Sequence, residues 1–198
     1  MSDKHNSFKE AQSRREFLEH IHNFLPENSV CVEIGVEGGS FSQLMVETLA
    51  PQKLYLIDPW EPGYDKNSPV THYGGGPQRT AYSTVENMAH VQTVFSREIE
   101  SGQVELKRGF SYDVVDDFPD DYFDFIYIDA THIYESVKAD LNAYLPKLKK
   151  SGVMAGHDYF SNNGVFSVIP AVDEFVRTHN FKWLATSPTS SWDWALIL

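Results

Sequence analysis

Asp129, His132, His157 and Asp158 have the types and spacing that could do chemistry. Asp129 ends the nearly unbroken apolar run Phe123-Asp-Phe-Ile-Tyr-Ile, and Asp158 closes a second, Val153-Met-Ala-Gly-His. Both runs read as strands buried on two faces, where a terminal carboxylate needs a reason. In parallel sheets the ligand crevice lies beyond the carboxyl ends of the strands. Adjacent strands lie about 4.8 Å apart, so the two carboxylates are placed to share one cation. His132, in the turn after Asp129, titrates near neutral pH in its unperturbed state and is a candidate base. Two local readings compete: Asp129 as cap of the following helix, and His132 bonded only to backbone.

A second constellation spans residues 30–42, Val-Cys-Val-Glu-Ile-Gly-Val-Glu-Gly-Gly-Ser-Phe-Ser. It reads as a buried strand, a glycine turn and a helix start. Gly35 and Gly39 allow close backbone approach to a ligand, and amides at the helix N-terminus near Ser40 favour an anionic group. The dinucleotide fingerprint GxGxxG is missing, because Val36 and Glu37 follow Gly35. Glu33 puts a carboxylate where a pyrophosphate binder would gain nothing from one, so the ligand is expected to be cationic at one end.

With Glu33-x-Gly35-x-x-x-Gly39 in place, the stretch resembles the first motif of class I S-adenosylmethionine-dependent methyltransferases. Lys53-Leu-Tyr-Leu-Ile-Asp58 is similar to that family's second strand, and Phe123 to Asp129 with the following Ala-Thr-His132-Ile-Tyr-Glu to its fourth. Gly152-Val-Met-Ala-Gly-His157-Asp158-Tyr159 is similar to its fifth. The last two motifs most resemble the small-molecule branch that includes macrocin and catechol O-methyltransferases. The resemblance covers the chain from about Val30 to Val176.

The resemblance implies an α/β, Rossmann-like, doubly wound sheet of seven strands, mostly parallel with one C-terminal antiparallel strand and helices on both faces. It implies S-adenosylmethionine as cofactor, with Glu33, Gly35, Gly39, Ser40, Asp58 and Asp129 against it, Asp58 on the ribose hydroxyls. Phe110 and Ser111 would lie beside the adenine, although Gly109-Phe110-Ser111 can also be a turn for local reasons. The metal positions of cation-dependent relatives fall on Asp129, His157 and Asp158. Magnesium prefers oxygen ligands, so His157 either shifts the preference toward manganese or another transition metal, or serves as a base. The catalytic candidates are therefore His132, His157 and Asp129. The reaction implied is O-methylation of a small-molecule hydroxyl, assisted by Mg or Mn. Two other classes stay in view: an NAD-linked oxidoreductase, which hydride transfer would reveal, and a non-catalytic cofactor-binding module, which would bind without turnover.

Composition limits the alternatives. A chain of 198 residues suits one domain, residues 1–198, with a full core. A net charge of −12 argues against nucleic acid as partner. With no apolar stretch of about 18 residues or signal-peptide core, no membrane role is expected and the expected location is cytoplasmic. The single cysteine, Cys31, excludes an internal disulfide and reads as a buried structural thiol.

The positioning elements follow from pattern. Residues 1–25 place Phe8, Ala11, Leu18, Ile21 and Leu25 at helical spacing and read as a covering helix, which also offers a homodimer surface. Residues 59–77 are rich in Pro and Gly and include Trp60, Tyr64, His72 and Tyr73. This loop reads either as a lid over the substrate or as a plain loop. A helix is expected over 78–100 and another over 164–180. Phe181–Ala185 and Trp192–Leu198 are expected to close the sheet as a hairpin.

Overall fold

A computed structural model describes residues 8–61, 81–160, 167–187 and 192–198, without the side chains of residues 81–84. Its strands are β1 (Lys9–Glu10), β2 (Val30–Ile34), β3 (Lys53–Asp58), β4 (Val104–Arg108), β5 (Phe123–Ile128), β6 (Leu148–Gly156), β7 (Lys182–Thr186) and β8 (Trp194–Ile197). They form one sheet in the order β1-β7-β8-β6-β5-β2-β3-β4. Only β8 runs against its neighbours, pairing antiparallel with β6 and β7. Among the described residues the sheet thus has eight strands rather than the expected seven. The extra one is β1, two residues paired in parallel with Ala185 and Thr186, too short to leave an alternating pattern.

That strand also corrects the N-terminal helix. Among the described residues helix α1 spans only Arg14–His22. Its start is set by Ser13, whose hydroxyl accepts a hydrogen bond from Glu16 N at 3.1 Å, an N-cap that satisfies an otherwise orphaned donor. Phe17, Leu18 and Ile21 form its buried stripe, while Phe8, expected on that stripe, is 53% exposed. The helix expected over 78–100 is two helices, α3 (Ala81–Val94) and α4 (Ser96–Glu100). They part at Phe95, which leaves helical geometry at φ −97° and ψ 20°. Val85 of α3 is 58% exposed, whereas Val91 is fully buried.

Period-two alternation along the strands builds the two cores. Cys31, Phe125 and Tyr127 face α1, helix α2 (Ser40–Leu49) and α3, whereas Val32, Ile34, Ile126 and Ile128 face helices α5 (Ser111–Val114), α6 (Tyr134–Tyr144) and α7 (Val168–His179). Every residue of β5 is buried. The Cys31 thiol is fully buried, and burial pushes its pKa up to about 12 despite a hydrogen bond to Ser29. No helix among the described residues is long and apolar enough to cross a membrane. Of the candidate lid, residues 62–77 lie outside the described residues. Trp60 is 1% exposed and donates its indole N–H to Glu37 O at 3.0 Å, so it belongs to the glycine turn rather than to a cover.

From β2 the chain continues to β3 on one side, while β5 pairs with β2 on the other. The order reverses there, and the carboxyl ends of β2, β3, β5 and β6 open onto one crevice.

Candidate active site

The crevice is a cavity of about 480 Å³. Its floor is the glycine turn. Gly35 adopts φ +91°, donates to Ile57 O at 2.8 Å, and lies beside Asp129, whose own amide donates to Ile34 O at 2.8 Å. Helix α2 then starts at Ser40, with Gly39 at φ +77° as its N-cap.

Asp58 fastens this turn. Its Oδ2 accepts from the amides of Val36 (3.0 Å) and Glu37 (2.9 Å), and its Oδ1 from Trp60 N at 2.7 Å. Burial nevertheless raises its pKa above the usual carboxylate value, the three amide bonds opposing that shift. A carboxylate has about four acceptor sites, so Asp58 keeps capacity for a ligand hydroxyl after holding the loop. Glu33 behaves differently from the anion expected of it. It is 1% exposed, accepts a short hydrogen bond from Ser42, and burial pushes its pKa up to about 8. At neutral pH it is mostly an uncharged hydrogen-bonding group.

Across the cavity stand the polar ends of β5 and β6. Asp129, His132 and Asp158 offer ligand atoms that all lie within 4.8 Å of one another. Nε2 of His132 lies 2.6 Å from Oδ2 of Asp158 and 3.7 Å from Oδ1 of Asp129. His157 approaches the same carboxylates through Nδ1, at 3.1 Å from Asp158 and 3.6 Å from Asp129. Asp129, His132 and Asp158 thus form a group whose ligand atoms could hold a metal ion, and His157, the nitrogen ligand expected from the sequence, lies beside the same two carboxylates. Asp129 does not cap the next helix: the N-cap of α6 is Ile133, with no side-chain cap bond. Asp158 sits in the left-handed region at φ +59°.

Burial lowers the His132 pKa, but the neighbouring carboxylates of Asp129 and Asp158 prevail and bring it to about 9. Likewise burial raises the Asp158 pKa, yet bonds from His132 and His157 hold it well below the usual carboxylate range. Two carboxylates and two imidazoles thus face one another where a metal ion could bind. The two oxygens and one or two nitrogens suit a transition cation better than magnesium.

Arg14 was not singled out in the sequence, since amphipathic pattern alone assigned its helix to packing. Its guanidinium stacks 3.9 Å over the Phe41 ring. Its Nε lies 3.2 Å from Asp193 Oδ1, its Nη2 bonds the Tyr127 hydroxyl, and the same Nη2 is 3.6 Å from Asp129 Oδ2. Tyr127 in turn donates to Asp193 at 2.5 Å. Asp129 consequently turns Oδ2 to Arg14 and Oδ1 to the histidines.

Of the expected residues, Glu33, Gly35, Ser40, Asp58, Asp129, His132, His157 and Asp158 line this one cavity, together with Arg14, Val36, Glu37, Gly38, Phe41 and Ala130. Gly39 lies behind the turn, facing Val91 and Phe95. Phe110 and Ser111 are not among the lining residues: Phe110 stacks on Tyr112 and the Ser111 hydroxyl bonds Asp140.

Residues 32–159 match a family model described as a methyltransferase domain. No curated protein is significantly similar in sequence. Similar solved structures include a Corynebacterium glutamicum protein (15% identity, 96% of this chain and 82% of that one, TM-score 0.65). Another is a precorrin-6y C5,15-methyltransferase of Geobacter metallireducens (14%, 91% and 80%, TM-score 0.58). A third is Aeropyrum pernix fibrillarin with natively bound S-adenosyl-L-methionine (11%, 87% and 69%, TM-score 0.57). At these identities the structures speak for the fold.

Proposed function

The chain belongs to the methyltransferase domain family, S-adenosylmethionine-dependent enzymes of the class I fold, and from that premise we propose that it methylates a hydroxyl of a small molecule with help from a divalent cation. The observation that carries this reading is the Asp129–His132–Asp158 cluster on the rim of the cofactor-sized cavity. Family membership leaves the oxidoreductase alternative without support.

Bound S-adenosylmethionine supplies an electrophilic methyl group on a sulfonium. A divalent cation supplies Lewis acidity that lowers the pKa of a coordinated hydroxyl. The protein's own residues handle position and protons. The Gly35–Gly38 turn, fastened by Asp58, presents backbone to the cofactor at close range. Asp129, His132 and Asp158 would hold the cation, on the side of the cavity where an acceptor oxygen has to be oriented for in-line attack. His157 takes the hydroxyl proton, being the more open imidazole, with a side chain 21% exposed against 11% for His132.

The net charge of −12 favours a small acceptor over nucleic acid. The experiment is methyl transfer to a panel of sugars, phenols and polyhydroxylated compounds, followed by mass spectrometry, on chelator-treated enzyme with Mn²⁺ or Mg²⁺ restored. Transfer is expected to vanish with the chelator and to return more fully with Mn²⁺, because of the imidazole ligand. Transfer indifferent to chelation would refute the cation's role.

A further inference from the structure

We infer that Arg14 anchors the α-carboxylate of the cofactor's amino-acid end and makes the site select a carboxylate-bearing cofactor over a decarboxylated one. This rests on the cofactor assignment above. The lining of the cavity is unbalanced: Glu37, Asp58, Asp129 and Asp158 supply carboxylates, and Arg14 is the one Lys or Arg among the described lining residues. Those acids suit a sulfonium and an ammonium. His132 and His157 are turned to Asp129 and Asp158, so a carboxylate entering the cavity would be met by Arg14.

The Arg14 guanidinium is built for that task. Nε is committed to Asp193 and Nη2 to Tyr127 and Asp129, while Nη1 has no partner among the described residues. The side chain is 27% exposed, and it lines the cavity. Stacking on Phe41 and bonds to Tyr127 and Asp193 fix the guanidinium plane, so little side-chain entropy is lost when it binds a carboxylate. Position agrees with this role. Arg14 stands over the end of β5, and Asp58 ends β3 on the other side of β2. The cofactor would then lie across the strand ends with its amino-acid end toward β5 and its nucleoside toward β3.

The test compares S-adenosylhomocysteine with its decarboxylated analogue by calorimetry, on wild-type protein and on Arg14→Gln. Wild type is expected to prefer the carboxylate-bearing ligand by about 10- to 100-fold, the range for a charge-assisted hydrogen bond. In Arg14→Gln the preference should fall to about twofold or invert, with affinity for the decarboxylated ligand nearly unchanged. A variant that keeps the full preference would overturn the inference. Should Arg14→Gln not fold, the wild-type ratio decides, and a preference below about twofold overturns it equally. Failure of both ligands to bind wild type would remove the cofactor assignment itself, a result distinct from binding without discrimination.

Discussion

Asp158→Asn is expected to lower turnover by about 10²- to 10⁴-fold while leaving affinity for S-adenosylhomocysteine within about threefold of wild type. The substitution is chosen for its backbone. Asp158 adopts φ +59°, a region that Asn enters more readily than most residues, so the end of β6 keeps its shape. What changes is charge: His132 at 2.6 Å and His157 at 3.1 Å lose the anion between them, and a cation loses one of its two carboxylates. Manganese affinity, read by the electron paramagnetic signal of the free ion, should drop by at least about 100-fold. The comparison that isolates the metal role is Asp58→Asn, which disturbs the glycine turn and should impair cofactor affinity first. Wild-type turnover in Asp158→Asn would end the idea that this cluster holds a catalytic cation.

Gly35→Ala is expected to produce the largest loss of stability. A β-carbon at this position would lie 2.1 Å from the carbonyl oxygen of Asp129, 2.5 Å from its carbon and 2.8 Å from the α-carbon of Ala130, all backbone atoms. None of these can rotate away, so β2 and β5 would have to separate at the cavity. The left-handed φ of +91° adds about 1–2 kcal/mol for any residue with a β-carbon. Overpacking adds about 1–3 kcal/mol more. A combined cost of about 2–5 kcal/mol would lower Tm by roughly 4–20 °C in a chain of this size. Gly38→Ala is the control three residues on, where an added β-carbon meets nothing within 4 Å. It should cost under about 1 kcal/mol. Equal melting temperatures for the two variants would contradict the packing described for the turn.

The parts of the site legible in the sequence are those written in local pattern. Val30 to Ile34 followed by glycines marks a strand entering a ligand turn, and the apolar runs ending at Asp129 and Asp158 mark strands whose carboxyl ends converge. The spacing of adjacent strands was enough to expect these two acids near each other, and β5 and β6 do pair. The third side chain of the cluster was not local. His157 adjoins Asp158 in sequence, but His132 is folded back so that its Nε2 lies between the two carboxylates.

Arg14 was illegible for a related reason. Its importance comes from Tyr127 and Asp193, more than 100 positions away, and from α1 docking beside α2. An N-cap at Ser13 tells where the helix begins but not what its first turn faces. Glu33 and Asp58 show the opposite limit: position was readable and chemical state was not. Full burial leaves Glu33 largely protonated at neutral pH, and three amides make Asp58 a brace for the loop.

The most direct test of the whole account is calorimetric titration of S-adenosylhomocysteine into metal-stripped protein, repeated with Mn²⁺ and with Mg²⁺. The account predicts binding near unit stoichiometry without metal. It also predicts a separate heat for Mn²⁺ that Asp158→Asn removes. Absence of nucleoside binding under all three conditions would contradict it.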